Sequence, residues 1–389
     1  MYVLKRALTL SLGVMLVMSA CAPNFSKEQE IVQKTDDSKE KAIIPNYSIS
    51  SDTYNTTLPY KEGVARGLVA SNLNNRMDTD EFETGLMRLA KDNYPSSKYL
   101  FQEGQYIDKD TAKAWVARKL TDQQYAEAKK KNKDVQNIGL NPINTNNKGG
   151  KTSPIYLSHL VEQDYLVKKN GKEVELGGIM LGLAMNPVNS YVEADGTPKE
   201  EITSRAKLED EGQKIANQVV DRMRKMKGLE NVPINIALFE EKPNSSKVPG
   251  SFIAMGTSNE GSVRVDGWSK INEEYALFPS TQASDEHSVH ATKFNNFKKQ
   301  IEKYFPNFTS AVGQGFYKDG SLQKLDITIE VQFKGKGELV GFTQFVAGEM
   351  TKYFPKNIET NVNIQSVESP ESIIVRKKNQ DKPFVHIYK

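Results

Sequence analysis

Cys21 is the residue whose chemistry the sequence specifies most clearly, because it is the only cysteine and follows two small residues, Ser19 and Ala20. Basic residues occupy positions 5 and 6, and residues 7–20 form an uncharged, mostly apolar run that is too short to span a bilayer. These are the parts of a lipoprotein signal. We therefore predict cleavage between Ala20 and Cys21, with a lipid bearing palmitate-type acyl chains on the Cys21 sulfur. An ordinary secretion signal, or a short membrane anchor with a chance cysteine, is the weaker alternative.

The histidines offer little further chemistry. Only His287 and His290 are close in sequence, and two acids, Asp285 and Glu286, lie beside them. This spacing resembles half a metal site, but a structural or catalytic metal needs at least a third protein ligand, and the sequence indicates none. We therefore predict a solvated loop or helix start, with no metal and no cofactor.

Enzyme motifs are similarly weak. No G-x-S-x-G turn exposes a serine nucleophile, and the glycine-rich run at residues 176–184 lacks the lysine of a phosphate loop. The acid pairs Asp78 with Asp80 and Glu81 with Glu83 have the residue types of glycosidase carboxylates, but a capping box between Asp78 and Glu81 accounts for them better. We predict no catalytic residue. A cell-envelope enzyme acting on wall polymer or peptide remains the alternative function.

A polar cluster is the candidate binding site of the folded part. Asparagine, arginine, glutamine and aromatic side chains together are typical of a cleft for a sugar or a peptide. The cluster consists of Asn72, Asn74, Asn75, Arg76, Gln102 and Tyr106. The alternative, which the sequence favours, is a polar loop whose asparagines satisfy turn backbone. The ligand class stays open between a small molecule, a peptide and a wall fragment.

A pattern that occurs twice predicts the elements that position these residues. Residues 93–106 match 304–317, residues 176–185 match 322–333, residues 233–239 match 361–367, and residues 250–255 match 383–388. Each copy reads helix, strand, strand, helix, strand, strand. The predicted fold is α+β, with two tandem related repeats, each a mostly antiparallel sheet covered on one side by helices.

The predicted domains follow from these matches. Residues 1–20 form the signal, residues 21–51 the lipidated cysteine and a flexible tether, residues 52–258 repeat 1 and residues 259–389 repeat 2. Repeat 1 contains a long insertion at residues 107–175. Within it, Thr121 and Gln124 predict a capped helix over residues 122–131, and the turn-rich residues 141–151 are either functional or disordered.

Composition excludes some partners. The 52 basic and 49 acidic residues nearly cancel to a net charge of +3, so a nucleic acid is not expected. A hydrophobic fraction of 38% and a charged fraction of 26% indicate a globular protein and not a membrane bundle.

Four features together resemble a known family, the CamS lipoproteins of Gram-positive bacteria, which are described as sex pheromone precursors. They are the lipoprotein signal around Cys21, the run at residues 67–90, the Y-L-F-Q-E-G-Q-Y block at residues 99–106, and the similar block near Gly315. The resemblance implies that a peptide trimmed from the cleaved signal acts as a sex pheromone in plasmid conjugation. The candidate pheromone consists of Val14, Met15, Leu16, Val17, Met18, Ser19 and Ala20.

The resemblance also implies the surroundings of the mature protein. Its expected partners are membrane lipid, through Cys21, and the lipoprotein processing enzymes. It is expected at the outer face of the cell membrane, held there by its lipid. The folded domain is then a non-catalytic extracytoplasmic domain whose ligand is unknown.

Overall fold

The computed structural model describes residues 29–34, 39–45, 49–50, 53–65, 73, 75–145, 150–169, 173–304, 310–332 and 335–388. The described helices are α1 (Thr79–Ala90), α2 (Lys109–Val116), α3 (Asp122–Lys131), α4 (Arg205–Met223), α5 (Thr281–Glu286), α6 (Ser288–Tyr304) and α7 (Lys336–Tyr353). None of them is long and apolar enough to cross a membrane.

The strands pair mainly into two large sheets. The strands are β1 (Gln29–Lys34), β2 (Lys39–Ile44), β3 (Asn75–Arg76), β4 (Tyr99–Glu103), β5 (Leu157–Lys169), β6 (Glu173–Met185), β7 (Val188–Val192), β8 (Pro198–Ile202), β9 (Ile234–Glu240), β10 (Lys242–Pro243), β11 (Ser251–Ser258), β12 (Asp266–Lys270), β13 (Glu273–Phe278), β14 (Ser310–Lys318), β15 (Ser321–Glu330), β16 (Glu359–Gln365), β17 (Pro370–Arg376) and β18 (Phe384–Ile387). An eight-stranded sheet has the path β12-β11-β9-β6-β1-β2, with β5 also paired to β6 and β4 to β5. A six-stranded sheet has the order β13-β14-β15-β16-β17-β18. The mixed α+β class is as predicted.

The eight-stranded sheet is covered by helices on both faces, which corrects the prediction of one covered side. Ile179, Leu181 and Leu183 of β6 pack in a core with α2 and α4, whereas Met180 and Ala184 pack in a second core with α1. The physical reason lies in β6 itself, because its residues 176–185 are all apolar or glycine, and a strand of this kind must bury both of its faces. The six-stranded sheet has one large core, formed with α6 and α7.

The two sheets share an order of pairing. In the first, β5 and β6 are antiparallel, α4 crosses to the parallel β9, and β11 and β12 follow in antiparallel pairs. In the second, β14 and β15 are followed by α7, the parallel β16, and then β17 and β18. This similarity alone does not confirm a duplication, which stays a prediction.

The order of the strands in the two sheets pairs different segments from those that the sequence pattern pairs. Position by position, β5 matches β14 and β11 matches β17, whereas we predicted matches of residues 93–106 with 304–317 and of 250–255 with 383–388. The predicted insertion at residues 107–175 therefore includes a central strand, β5. Sheet position and sequence spacing pair different segments, because strand neighbours are chosen by hydrogen bonding across the sheet and not by separation along the chain.

The prediction of a flexible tether is wrong for residues 29–34 and 39–44, which form β1 and β2. The two strands are antiparallel, and β1 also pairs in parallel with β6 at Val32 and Gln33. Ile31, Ala42 and Ile44 pack against apolar residues of β4, β5 and β6. The few apolar residues of this segment therefore form a small core with β4, β5 and β6, although they show no period in the sequence.

Local helix signals had mixed outcomes. The helix over residues 122–131 is confirmed as α3, and its capping box between Thr121 and Gln124 is present. The capping box at α1 is wrong, because Asp78 makes no side-chain bond to the helix N-terminus. Its Oδ1 instead accepts a hydrogen bond from Arg76 Nε at 2.6 Å.

Candidate functional site

A cavity of about 220 Å³ lies where β4 ends, between α1 and β5. Apolar side chains such as Met87 of α1 and Phe101 of β4 line part of it, and His159, Glu162 and Gln163 of β5 line another part. A small cavity with apolar walls and a few polar groups is the usual form of a ligand site.

Glu162 anchors the turn between β4 and α2 beneath this cavity. Its Oε1 accepts hydrogen bonds from the backbone N–H groups of Gln105 and Tyr106 at 3.2 and 3.1 Å, and its Oε2 accepts one from Ile107 at 2.7 Å. Gly104 makes this approach possible, because a Cβ there would lie 2.4 Å from the Glu162 Cβ. Three backbone donors around one carboxylate favour its charged form.

Asp164 is the neighbour of Glu162 on the same side of β5, since residues two apart on a strand share a side. Its Oδ2 accepts from the Gln105 N–H at 3.1 Å, and the two carboxyl groups are hydrogen-bonded to each other. Burial raises the pKa of both carboxyls, and the charge of Glu162 raises the pKa of Asp164 further. Both causes favour the protonated form of Asp164.

His159 contributes a buried polar atom that lacks a hydrogen bond within the described part of the chain, as Asp164 does through its Oδ1. The residue is 6% exposed, and its Nδ1 has no hydrogen-bond partner among the residues that the structure describes. Burial lowers the pKa of His159 to about 4, so the ring is neutral at physiological pH. A neutral imidazole in a cavity wall can donate or accept one hydrogen bond to a ligand.

Beside the cavity the edge of β5 has no partner strand among the described residues, and Leu160 there is 2% exposed. Glu162 directs its carbonyl toward β4, where it accepts from the Gly104 N–H at 3.0 Å. Leu160, two residues earlier, directs its N–H and C=O to the same side, but β4 ends at Glu103 opposite Gln163. Within the described chain no strand pairs with β5 at Leu160 on that side.

This arrangement supports recognition more than catalysis. The Glu162 carboxylate is held by backbone, and Asp164 is hydrogen-bonded to it, whereas glycosidase carboxylates lie about 5 Å or more apart across a sugar. The unpaired strand edge and the neutral imidazole can instead form hydrogen bonds to a ligand.

The structure places the predicted binding residues in other surroundings. The Asn75 amide donates to the Glu241 carboxylate, Gln102 accepts from Gln33 Nε2 at 2.7 Å, and Tyr106 packs on the core next to α2 and α4. None of these side chains lines the cavity. Arg76 pairs with Asp78, as described above, and its Nη1 donates to the Ser246 carbonyl at 3.2 Å.

Several predicted residues lie outside the described residues, namely Asn72, Asn74, Cys21, Ala20 and the rest of residues 14–20. Sequence reasoning also missed the polar residues of the site. The signal that could have found them is the occurrence of His159, Glu162 and Asp164 among the apolar residues of 155–166, because a buried polar group requires a partner.

Comparison with known proteins gives consistent matches. A family model described as CamS sex pheromone cAM373 precursor matches residues 60–382. The chain is similar to the structure of the sex pheromone precursor from Lactobacillus salivarius subsp. salivarius, with 32% identity and a TM-score of 0.77, over 88% of this chain and 98% of that one. It is also similar to the C-terminal domain of the sex pheromone staph-cAM373 precursor from Staphylococcus aureus, with 31% identity and a TM-score of 0.68, over 80% of this chain and 96% of that one. No curated protein matches.

Proposed function

Because the chain belongs to the CamS family of sex pheromone precursors, we propose that it is a membrane-anchored surface lipoprotein whose processed signal peptide acts as a sex pheromone in plasmid conjugation. The observation that carries this proposal is the family match over residues 60–382. It is supported by the predicted lipoprotein signal at residues 1–20, directly before Cys21. The peptide of residues 14–20 is uncharged in its side chains, which suits passage through membranes and uptake by a recipient cell.

The pheromone is tested with a variant that keeps export intact. Val14→Leu, Leu16→Ile and Val17→Leu together change the peptide but keep the apolar run and the residues before the cut. Culture medium from the variant should no longer induce conjugation in a recipient that responds to the parent medium, and synthetic V-M-L-V-M-S-A should restore the response. An unchanged response to the variant medium, or none to the synthetic peptide, contradicts the proposal.

The anchor is tested separately. Cys21→Ser should abolish labelling by radioactive palmitate, because the thiol is the only cysteine sulfur in the chain. The triple variant at residues 14, 16 and 17 is the matched control and should stay labelled. Label that persists in Cys21→Ser would place the lipid elsewhere.

For the folded domain we propose non-catalytic binding of a short extended peptide in the cavity. The support is the open backbone of Leu160 next to the unbonded Nδ1 of His159, because an extended peptide adds to a strand edge through main-chain hydrogen bonds. The probes are the peptide of residues 14–20 and muropeptides released from cell wall, each titrated calorimetrically into the full chain.

His159→Phe removes the polar atom and fills the cavity, so it should weaken binding at least tenfold. The control His386→Phe changes an exposed histidine of β18 and should bind normally. Absence of binding by both probes, or equal binding by the two variants, contradicts a peptide site here. Cleavage of either probe would favour an enzyme.

A further inference from the structure

Three side chains from two separate segments converge at the end of α5. Potential ligand atoms of Glu274, Glu286 and His287 all lie within 4.8 Å of one another. Glu274 belongs to β13, Glu286 is the last residue of α5, and His287 is the C-cap of that helix. The sequence places two of these residues together, and the fold adds the third ligand that its spacing lacks.

The His287 ring is held in one orientation before any ligand binds. It stacks on Tyr317 with the ring centroids 3.8 Å apart and the planes 17° from parallel. The backbone N–H of His287 donates to the Ala283 carbonyl at 2.9 Å, which fixes the end of α5. A ring positioned by its neighbours does not lose freedom when a ligand binds, and this favours affinity.

The distances suit a small divalent cation. His287 Nε2 lies 3.4 Å from Glu274 Oε1. Two ligands of a tetrahedral zinc ion with bonds of about 2.0–2.1 Å are separated by about 3.4 Å. Glu286 is exposed, so its carboxylate can rotate toward the same point.

The second histidine of the pair has a different role. His290 Nδ1 is 3.0 Å from the Tyr317 hydroxyl, and Tyr317 in turn supports the His287 ring. His290 is therefore a positioning residue and not a ligand. The sequence spacing suggests that His287 and His290 form half a metal site, whereas in the structure only His287 belongs to the cluster.

We propose that Glu274, Glu286 and His287 bind a divalent transition-metal ion of the Zn²⁺ class. Two carboxylates and one imidazole provide three of the oxygen and nitrogen ligands that such ions accept, and water would complete the set. A bound ion would link β13 to the end of α5 at the start of the second sheet.

The test titrates Zn²⁺, and separately Co²⁺, into the metal-free full chain. Calorimetry should show one site, and Co²⁺ should give the visible absorption of a tetrahedral complex. His287→Gln and Glu274→Gln should each weaken Zn²⁺ binding at least tenfold, because each removes a ligand. Asp285→Asn is the matched control: it removes a neighbouring acid outside the cluster and should keep the parent affinity.

The absence of Zn²⁺ binding at millimolar metal would overturn the proposal, and so would equal affinity in His287→Gln and the parent. Glu286→Gln tests a ligand with little risk of unfolding the protein, because Glu286 is exposed and contributes only its carboxylate to the cluster. Unchanged Zn²⁺ binding in a folded Glu286→Gln protein would contradict the three-ligand site. Circular dichroism of each variant confirms that it is folded.

Discussion

Arg88 of α1 and Glu273 of β13 form an ion pair that joins the two sheets, with Arg88 Nη2 2.9 Å from Glu273 Oε2. The Glu273 side chain is fully buried. Arg88 also pairs with Glu81 at 2.9 Å and lies over the ring of Phe316, 4.4 Å from its centroid. Burial disfavours the charge of Arg88, but the two carboxylates outweigh it and raise its pKa.

Arg88→Met should destabilise the protein by about 3 kcal/mol, because it leaves the buried Glu273 carboxylate without its partner. Urea denaturation followed by fluorescence measures the loss. Arg205→Met breaks an exposed pair with Glu240 and should cost about 1 kcal/mol or less. An equal loss of unfolding free energy in the two variants would show that the ion pair of Arg88 with Glu273 adds no more stability than a surface pair.

Glu241→Gln should flatten the dependence of stability on pH. Burial raises the pKa of Glu241 from 4.5 to about 7, against hydrogen bonds from Ser158 and Asn75 that lower it. The folded carboxyl keeps its proton up to about pH 7, whereas the unfolded one loses it near 4.5. The parent's free energy of unfolding should therefore fall as pH rises from 5 to 7, by an amount on the order of 3 kcal/mol from this group.

The urea midpoint at several pH values measures the Glu241 effect. Glu240→Gln is the matched control, since it changes the adjacent residue at the surface pair with Arg205 and should keep the slope of the parent. A slope that survives in Glu241→Gln would assign the pH dependence to another group.

Gly104→Ala should destabilise the cavity region by about 1–3 kcal/mol through overpacking. Its Cβ would collide with Glu162, whose carboxylate would then lose its backbone donors. Gly348→Ala, in an exposed position of α7 with open space around it, should instead stabilise the protein by about 0.5–1 kcal/mol. Thermal unfolding should show a lower melting temperature for Gly104→Ala and a higher one for Gly348→Ala. Shifts in the same direction would contradict the argument that a Cβ at Gly104 collides with Glu162.

Asn141→Ala should cost several kcal/mol, because this buried amide completes the start of β5. Its Oδ1 accepts from the N–H groups of Tyr156 and Leu157 at 2.8 Å each, and its Nδ2 donates to the carbonyls of Val116 and Leu157 at 2.7 and 2.8 Å. Each buried group left unpaired costs about 1–3 kcal/mol.

Asn132→Ala is the comparison for Asn141, because Asn132 makes an exposed bond to the backbone N–H of Asp134. Guanidinium denaturation should detect a change of less than about 1 kcal/mol for Asn132. An equally small loss of unfolding free energy in Asn141→Ala would contradict this prediction. It would show that the hydrogen bonds of Asn141 contribute little to stability.

Much of the local structure was predictable. The capping box at Thr121 and Gln124 predicted the bounds of α3, because this signal depends on residues a few positions apart. The mixed class followed from such local patterns. The roles of β1 and β2 did not, since their few apolar residues form a core only against strands far along the chain.

The candidate site was beyond the sequence for the same reason. Glu162 meets the N–H groups of residues 105–107, and Glu274 meets His287, across chain separations that no motif spacing specifies. What the sequence alone determined is what short range encodes, namely the helices and strands with clear caps and periods. The lipid at Cys21 stays a prediction from the same kind of local pattern. Only the tertiary structure decided which polar groups lie together in a low-dielectric pocket. Side chains become buried and find their hydrogen-bond partners only when segments that are distant in the chain pack together.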